Sequence, residues 1–352
     1  MTLNGNGLVH SAVSGSGMLS ATCRYGSVIV GSGHAVASQV LTNDDLARVM
    51  DTSDAWIRER TGIRERRVVG PEEHTGTLAL EASQRAIEDA GLRADEIDLI
   101  IVCTITPEMP LPSTACLLQE RLGIAGRGTP AFDLAAACSG FVYGLQAAHG
   151  MMQTGLYKHI LVVGVEVLSR VTDYTDRGTC ILFGDGAGAV VLGRSDDASR
   201  GLLYSKLYAD GAGWHYICTP GGGTARPPSS QMLADKDHLM KMKGREVYKF
   251  AVTRMQMLVD EAVAACGLDG ESISLVVPHQ VNKRIIDSAV EKLNLPPERV
   301  YVNIDRFGNT SSASIPIAFD EARRAGKIKA GDLILMVAFG AGLTWGSAVV
   351  RM

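Results

Sequence analysis

An approximate internal repeat is the feature that most constrains the fold of this chain. Residues 99–102 form a short apolar run after a helix-like segment, and residues 275–278 form another in the same context. After each run the order is the same: a helical segment, a strand ending in a turn of small residues, a further strand, and a closing strand flanked by glycine. The repeat predicts two similar halves. Identity between the halves is low, so chance similarity is the alternative to gene duplication.

The repeat also predicts where the two halves meet. Cys138 follows the strand-ending turn of the first half, and Asn309 follows that of the second. Duplication makes these positions equivalent, each at the start of a helix, and a twofold pseudo-axis brings the helix starts together. Alternation of strands and helices is typical of an α/β fold whose sheets are covered by helices.

Apolar runs and helical periodicity define the expected elements. Strands are expected at 27–30, 99–102, 130–133, 160–165, 187–192, 202–208, 275–278, 300–304, 333–338 and 347–350. Helices are expected at 75–90, 114–122, 140–153, 245–266, 284–293 and 314–325.

Composition places the chain among ordinary globular proteins. Of the 352 residues, 46% are hydrophobic and 20% are charged. The net charge is −4 and the sequence has no run of lysine or arginine, so a nucleic-acid or membrane-surface role has little support. No apolar stretch approaches the roughly 20 residues of a membrane span. Residues 1–24 lack a signal-peptide pattern and are predicted to be a flexible leader. The seven cysteines show no metal-ligand spacing, which indicates reduced thiols in a cytoplasmic protein and no bound metal.

Cys138 is the candidate nucleophile. Alanines precede it, and Ser139 and Gly140 follow it, so small side chains leave room for a substrate at the sulfur. The start of a helix carries a partial positive charge, which favours a thiolate near neutral pH. The alternative is a small cysteine buried in the core.

His279 and Asn309 are candidates to act with this thiol. His279 lies just past a predicted strand, where open α/β sheets tend to place ligands, and its alternative is a structural histidine. Asn309 precedes a predicted helix, and its alternative is a helix cap. Two neutral donors facing a thiol suit a reaction in which a thioester carbonyl gains negative charge, such as loss of CO2 from a malonyl thioester. A cysteine protease also uses Cys, His and Asn, with the histidine as base.

A glycine-rich segment, 339–346, is the candidate oxyanion hole. It follows a predicted strand and offers backbone amides close to a site. The glycine-containing segments 184–188 and 31–33 lack the rest of a phosphate-loop or dinucleotide fingerprint, so no nucleotide cofactor is expected.

Taken together, these motifs give the chain a family resemblance. From about residue 25 to 352 it resembles the thiolase-fold condensing enzymes and, within them, β-ketoacyl-acyl-carrier-protein synthase III. The resemblance implies a five-layered α-β-α-β-α fold made from two thiolase-like halves, 25–197 with the nucleophile and 198–352 with His279 and Asn309. It rests on the joint occurrence, in this order, of segments 52–57, 60–64, 133–140, 175–179, 183–188, 278–282, 308–315 and 340–346.

The resemblance also implies roles for individual residues. Cys138 accepts the acyl group, with its own backbone amide and that of Ala341 as the oxyanion hole, and His279 and Asn309 form the decarboxylation pair. Related elongating synthases use two histidines, thiolases a second cysteine and hydroxymethylglutaryl-CoA synthases a glutamate, so Asn309 points to the synthase III group or to polyketide starter synthases. The other implied contacts are CoA binding by Trp56, Arg60, Arg177 and Asn282, carrier-protein docking by Lys283 and Arg284, and an acyl pocket at Leu111 and Phe339. For the charged residues, a solvated surface is the alternative.

The implied reaction joins an acyl-CoA primer, acetyl-CoA or another short chain, to malonyl-acyl-carrier protein and releases CoA and CO2. The family resemblance implies a homodimer, and no metal or nicotinamide cofactor is expected. Three features depart from the family pattern. Ala341 stands where many relatives have glycine. Leu111 stands where an aromatic residue of the family reaches into the partner's acyl pocket. Segment 219–243 is longer than in compact relatives and forms either a mobile cover over the site or a plain insertion.

Three rival interpretations stay open. A starter synthase of secondary metabolism on the same fold differs in acyl donor and acceptor, and the sequence does not separate it. A Cys/His/Asn hydrolase of another fold releases free acid, and the internal repeat argues against it. A non-catalytic module binds acyl-CoA or carrier protein, and the intact set of three residues argues against that.

Overall fold

A computed structural model of the protein describes residues 23–269, 271–291 and 295–352. Nearly all of the predicted leader, 1–24, lies outside the described residues, as does the end of the helix predicted at 284–293. Within the described part of the chain, no helix is long and apolar enough to cross a membrane.

Thirteen strands are described in this part of the chain. They are β1 (Gly26–Val36), β2 (Gln39–Thr42), β3 (Glu65–Val68), β4 (Leu99–Cys103), β5 (Ala131–Leu134), β6 (His159–Val167), β7 (Asp185–Ser195), β8 (Gly201–Ala209), β9 (Ile217–Cys218), β10 (Lys241–Met242), β11 (Leu275–Pro278), β12 (Leu333–Gly340) and β13 (Thr344–Arg351). Of these, β2 pairs with β3 and β9 with β10, and the remaining nine form one sheet in the order β11-β12-β13-β8-β1-β7-β6-β4-β5.

The helices lie between these strands. They are α1 (Asn43–Ala47), α2 (Asp54–Thr61), α3 (Thr75–Asp89), α4 (Thr114–Arg121), α5 (Gly140–Met152), α6 (Arg177–Cys180), α7 (Ser230–Ala234), α8 (Gly244–Cys266), α9 (Lys283–Val290), α10 (Ile304–Phe307) and α11 (Ser314–Arg324).

The strand order repeats from one half of the large sheet to the other. In the first half, β1 and β7 are antiparallel, β7 and β6 are antiparallel, and β6, β4 and β5 are parallel. In the second half, β8, β13 and β12 follow with the same directions, β12 and β11 are parallel, and Val300 forms a parallel bridge beyond β11. Within the large sheet, β1 and β8 join the two halves through a single pair, Ser27 with Gly201. The bounds 25–197 and 198–352 stay a prediction.

Helices and the two halves of the large sheet alternate in five layers. One apolar core packs α5 and α11 together between strands of both halves, with Phe141 and Phe319 fully buried there. A second core packs α3 and α4 on the outer face of the first half, and a third packs α8 and α9 on the outer face of the second. The α5–α11 layer matters for function, because it brings the start of one helix from each half to the centre of the molecule.

Two details of the predicted repeat are wrong. Segment 300–304 is not a strand, since the side chain of Gln280 donates to Tyr301 O and accepts from Asn303 N, both at 3.0 Å, in place of further ladder hydrogen bonds. Asn309 is not the equivalent of Cys138. A left-handed residue opens the short turn before each central helix, Ala137 with φ 46° and Ser311 with φ 49°, so the register pairs Cys138 with Ser312.

Candidate functional site

Cys138 lies in the turn between β5 and α5, where two apolar cavities meet. One cavity, of about 40 Å³, is lined by Cys138, His279, Asn309 and Phe339, among other residues. The other, of about 370 Å³, extends from Cys138 past the turn before it; its lining includes Ile105, Leu168, Cys218 and Met240. The three predicted reactive residues therefore share one enclosed space, and a roomier apolar cavity adjoins it.

His279 follows β11, and its ring is completely buried. The Nδ1 atom lies 2.7 Å from the Ser314 hydroxyl, whose oxygen also accepts from the Gln280 backbone amide at 3.3 Å. Nδ1 is the one acceptor within reach of the Ser314 hydrogen among the described residues, so the hydroxyl is assigned as the donor, and a neutral imidazole that accepts at Nδ1 carries its hydrogen on Nε2. Nε2 has no hydrogen-bond partner among the described residues. Burial lowers the pKa of His279 to about 3, so the ring is neutral at pH 7.

Asn309 is held by both its backbone and its side chain. Its backbone amide donates to Leu182 O at 2.8 Å, and its carbonyl accepts from Gly184 N at 3.0 Å. Its Oδ1 accepts from the Ser311 backbone amide at 2.8 Å. A backbone N–H can only donate, so the oxygen must lie on that side and the NH2 group lies on the other. Asn309, like His279, is therefore a neutral donor lining the cavity of Cys138.

The thiol of Cys138 is not a resting thiolate in this structure. Burial raises its pKa to about 12, while a hydrogen bond with the Ser311 hydroxyl acts in the opposite direction with less effect. The expected low pKa is therefore wrong: the Cys138 backbone amide lowers the pKa as a helix start should, but burial of the sulfur raises it more. Acylation of this thiol requires that its proton be removed during the reaction.

The predicted oxyanion segment is tied to the Cys138 turn. The Thr344 hydroxyl lies 2.9 Å from Ala136 O and 3.1 Å from Ala341 O, and the Ser139 hydroxyl donates to Thr344 O at 3.1 Å. Ala341 lines both cavities and has a negative φ, so alanine in place of glycine is accommodated there without backbone strain.

Trp56, Arg60 and Arg177 form one cluster at the surface. The guanidinium carbon of Arg60 lies 4.5 Å from the Trp56 ring centroid, and that of Arg177 lies 4.7 Å from it. Arg177 also donates to Asp51 O at 2.8 Å. An aromatic face beside two guanidinium groups suits a ligand with both a flat base and phosphates.

Asn282 joins this cluster to α9. Its Nδ2 donates to Arg60 O at 2.9 Å, and its Oδ1 accepts from Arg284 N at 3.0 Å as the cap of α9. Lys283 and Arg284 are exposed on the first turn of α9, and Lys283 forms an ion pair with Asp287 at 2.7 Å.

The two predicted acyl-pocket residues lie apart. Phe339 is buried, and its ring contacts the His279 ring edge-to-face with centroids 5.8 Å apart, so it lies in the smaller cavity. Leu111 is 84% exposed and lines neither cavity. Segment 219–243 contains α7 and contributes Thr219 and Met240 to the wall of the larger cavity.

Three residues beside the site were missed from sequence: Glu166, Ser311 and Ser314. A signal existed for Glu166, the one acidic residue inside the apolar run of β6. The serines carry no comparable signal, because they lie in a serine-rich turn where any of them fits a helix start. Within the described residues no cluster of His, Cys, Asp or Glu could hold a metal ion.

Comparisons with known proteins identify the family of this chain. Residues 132–211 match the family model described as 3-oxoacyl-[acyl-carrier-protein (ACP)] synthase III, and residues 263–352 match the model of its C-terminal part. The chain is 49% identical to the beta-ketoacyl-[acyl-carrier-protein] synthase III of Caldanaerobacter subterraneus subsp. tengcongensis, over 92% of this chain and 97% of that protein. It is 50% identical to the protein of that name from Xanthomonas campestris pv. campestris, over 93% and 99%.

Solved structures show the same similarity. The 3-oxoacyl-[acyl-carrier-protein] synthase III from Aquifex aeolicus superimposes with a TM-score of 0.85 at 46% identity, covering 93% of this chain and all of that one. The priming β-ketosynthase of the R1128 polyketide pathway gives a TM-score of 0.84 at 34% identity, covering 94% and 97%.

Proposed function

The chain belongs to the β-ketoacyl-acyl-carrier-protein synthase III family, and from that premise we propose that Cys138, His279 and Asn309 perform its reaction. The protein is an acyltransferase of fatty acid biosynthesis that condenses an acyl primer with a malonyl unit on acyl-carrier protein. The observation that carries the residue assignment is the small cavity lined by the thiol and by two neutral donors.

The first step transfers the acyl group. The sulfur of Cys138 attacks the thioester carbonyl of a short acyl-CoA, such as acetyl-CoA, and CoA leaves as its thiolate. The carbonyl oxygen becomes negative in the tetrahedral intermediate, and the backbone amides of Cys138 and Ala341 donate to it. The product is a thioester on Cys138 that divides the overall reaction into two simpler steps.

The second step forms the carbon–carbon bond. Loss of CO2 from malonyl-acyl-carrier protein leaves an enolate, whose oxygen accepts hydrogen bonds from His279 Nε2 and from the Asn309 amide. The enolate carbon attacks the acyl group on Cys138, and the sulfur leaves as a thiolate. Because both donors are neutral, the site stabilises charge as it develops without holding a permanent cation beside the thiol.

The substrates enter past the arginine and tryptophan cluster. Trp56, Arg60 and Arg177 bind the adenine and phosphate end of CoA in this proposal, and Asn282 holds the pantetheine arm. Lys283 and Arg284 lie exposed beside them, where cations attract an acidic carrier protein. Asn282 uses one of its two N–H donors on Arg60 O and one oxygen lone pair on Arg284 N, so one donor and one acceptor position stay available for the pantetheine arm.

A homodimer is part of this proposal. β5 ends the large sheet, and Phe132 on it is 37% exposed. Leu111 is also exposed, and the family resemblance assigns it to the acyl pocket of a partner subunit. An open strand edge with exposed apolar side chains favours pairing with a second chain. A cytoplasmic location is also proposed, since all seven cysteines are free thiols.

Mass spectrometry of the intact protein tests the assignment. Wild type incubated with a panel of acyl-CoAs is expected to gain one acyl group, and Cys138→Ala none. His279→Ala and Asn309→Ala are expected to acylate but to release CO2 from malonyl-carrier protein about 10²-fold more slowly. An adduct on Cys138→Ala, or normal CO2 release by both other variants, would contradict the proposed roles of these residues.

A further inference from the structure

Glu166 is a completely buried carboxyl group that the reaction described above does not use. It lies on β6, and its neighbours surround it with donors. Oε2 lies 2.6 Å from the Thr106 hydroxyl and 3.2 Å from the Ile105 backbone amide, while Oε1 lies 3.1 Å from each of the Ser311 and Ser312 hydroxyls. A buried carboxyl group that receives this many hydrogen bonds can exist with or without its proton.

Ser311 connects this carboxyl group to the nucleophile. An ionised carboxylate only accepts, so the Ser311 hydroxyl donates its hydrogen to Glu166 at 3.1 Å and keeps its lone pairs available on the wall of the larger cavity, which Cys138 also lines. The contact is held in place, because Ser311 has the left-handed φ of 49° and its backbone amide is fixed on Asn309. The Ser311 hydroxyl therefore connects the carboxylate to the cavity that the sulfur of Cys138 lines.

We propose that Glu166, acting through the Ser311 hydroxyl, takes the proton of Cys138 during acylation and returns it after condensation. The proposal rests on the assignment of Cys138 as the nucleophile. In acylation, the S–H bond breaks as the sulfur–acyl bond forms. The thiol proton passes to the Ser311 oxygen while the Ser311 hydrogen passes to Glu166, and the CoA thiolate leaves and takes a proton from water.

Condensation reverses the transfer. The malonyl carboxylate leaves as CO2, the enolate carbon bonds to the acyl carbon, and the sulfur–acyl bond breaks to give the Cys138 thiolate. Protonated Glu166 then donates to Ser311, which donates to the thiolate. The resting thiol and the ionised carboxylate are restored, and the only net proton consumed is the one on CoA.

The ionisation of the carboxyl group supports this role. Burial raises the pKa of Glu166 to about 7, against the opposing effect of the hydrogen bonds from Thr106, Ile105, Ser311 and Ser312. Burial is the main cause of the raised pKa of both neighbouring thiols, Cys103 at the end of β4 and Cys138. The ionised form of Glu166 raises both further, and Asp133 acts on Cys103 in the same direction. The ionised carboxylate therefore disfavours a second negative charge on the sulfur, so loss of the thiol proton is easier when Glu166 takes up a proton.

The test is the pH dependence of Cys138 acylation by acetyl-CoA in a single turnover, followed by mass spectrometry of quenched samples from pH 5.5 to 9. The wild-type rate is expected to rise through about pH 7 as Glu166 ionises. Glu166→Gln and Ser311→Ala are expected to lack this rise and to be about 10²-fold slower at pH 8.

Two control variants keep a carboxyl group in the path. Glu166→Asp is expected to keep a rise of the rate with pH. Thr106→Val removes a hydrogen bond that lowers the pKa of Glu166, so its rise is expected at higher pH.

A merely structural role gives a different result. If Glu166→Gln loses rate equally at every pH, or keeps the rise near pH 7, the proposal is overturned. If Glu166→Gln does not fold, the acylation rate of Ser311→Ala tests the proposal by itself, because this variant removes the connecting hydroxyl and leaves the carboxyl group of Glu166 in place. Absence of any acyl adduct on the wild type would instead contradict the assignment of Cys138 and so is distinguishable from failure of this proposal.

Discussion

Gly340 approaches Cys138 so closely that a Cβ atom on Gly340 would lie 2.6 Å from the Cys138 backbone nitrogen. The backbone of the glycine-rich segment therefore touches the backbone of the nucleophile, with no room for a side chain between them. Gly340 has a negative φ, so the need for glycine here is steric and not conformational.

Gly340→Ala is expected to separate the two predicted oxyanion amides and to slow acylation of Cys138 by about 10²-fold. The matched control is Gly150→Ala on α5, where a Cβ meets no atom within 4 Å and alanine stabilises the helix by about 0.5–1 kcal/mol. Single-turnover acylation and thermal unfolding measure both variants. Equal acylation rates for the two would show that the close approach has no part in the reaction.

Ser314→Ala tests the tautomer of His279. Without the hydroxyl, Nδ1 loses the donor that places the ring hydrogen on Nε2, so CO2 release is expected to slow about fivefold, which corresponds to roughly 1 kcal/mol for one hydrogen bond. Ser83→Ala on α3 is the control, because that buried serine donates only to a helix carbonyl at 2.6 Å. Acylation by acetyl-CoA should be unaffected in both. A loss confined to acylation would refute the tautomer argument.

The pH dependence of decarboxylation follows from the lowered pKa of His279. Since that pKa is about 3, the imidazole stays neutral from pH 5 to 8 and Nε2 keeps its hydrogen. CO2 release by the pre-acylated enzyme is therefore expected to stay constant within about twofold over that range. A mechanism that needs the imidazolium form would instead lose rate as pH rises through the usual histidine pKa of about 6.5. Stopped-flow CO2 detection distinguishes the two.

Most strands were predictable because they are buried apolar runs, and buried runs need no knowledge of distant residues. The short strands β2, β3, β9 and β10 were not predicted. Segment 300–304 was predicted wrongly despite its strand-like sequence, because Tyr301 O and Asn303 N bond to the Gln280 side chain, about twenty residues away. The register of the repeat failed for a related reason. Only the positive φ values of Ala137 and Ser311 reveal that Cys138 pairs with Ser312, and for residues other than glycine a positive φ is rarely evident from sequence.

The site was partly predictable for the same kind of reason. Cys138, His279 and Asn309 each follow a strand or a turn in a recognisable motif, and the structure brings them to one cavity. The groups that control their protons come from elsewhere: Ser314 orients His279, and Glu166 lies at the end of a different strand. The raised pKa of Cys138 depends on burial by all of these elements together, which no local pattern contains.

The larger cavity predicts which residues limit the acyl chain. Cys218 and Met240 lie in its wall, together with other apolar side chains. Cys218→Trp fills part of this space, so the preference for hexanoyl-CoA over acetyl-CoA is expected to fall. Burial of one methylene contributes about 0.8 kcal/mol of binding free energy, so each methylene of the acyl chain that the tryptophan excludes from the cavity lowers kcat/KM roughly fourfold. Acylation rates with acetyl-, butyryl- and hexanoyl-CoA measure the effect.

Met240→Ala provides the opposite change at the same wall. It removes volume from a side chain that is only 5% exposed, so longer chains gain room and the optimum is expected to move upward. Such a truncation costs about 2–5 kcal/mol of stability, so its thermal unfolding is compared with that of Cys218→Trp, and rates are compared as ratios between substrates. Opposite shifts in those ratios identify this cavity as the acyl pocket, because damage to the nucleophile would lower acylation by every CoA ester alike. Parallel losses in both variants would place the acyl chain elsewhere.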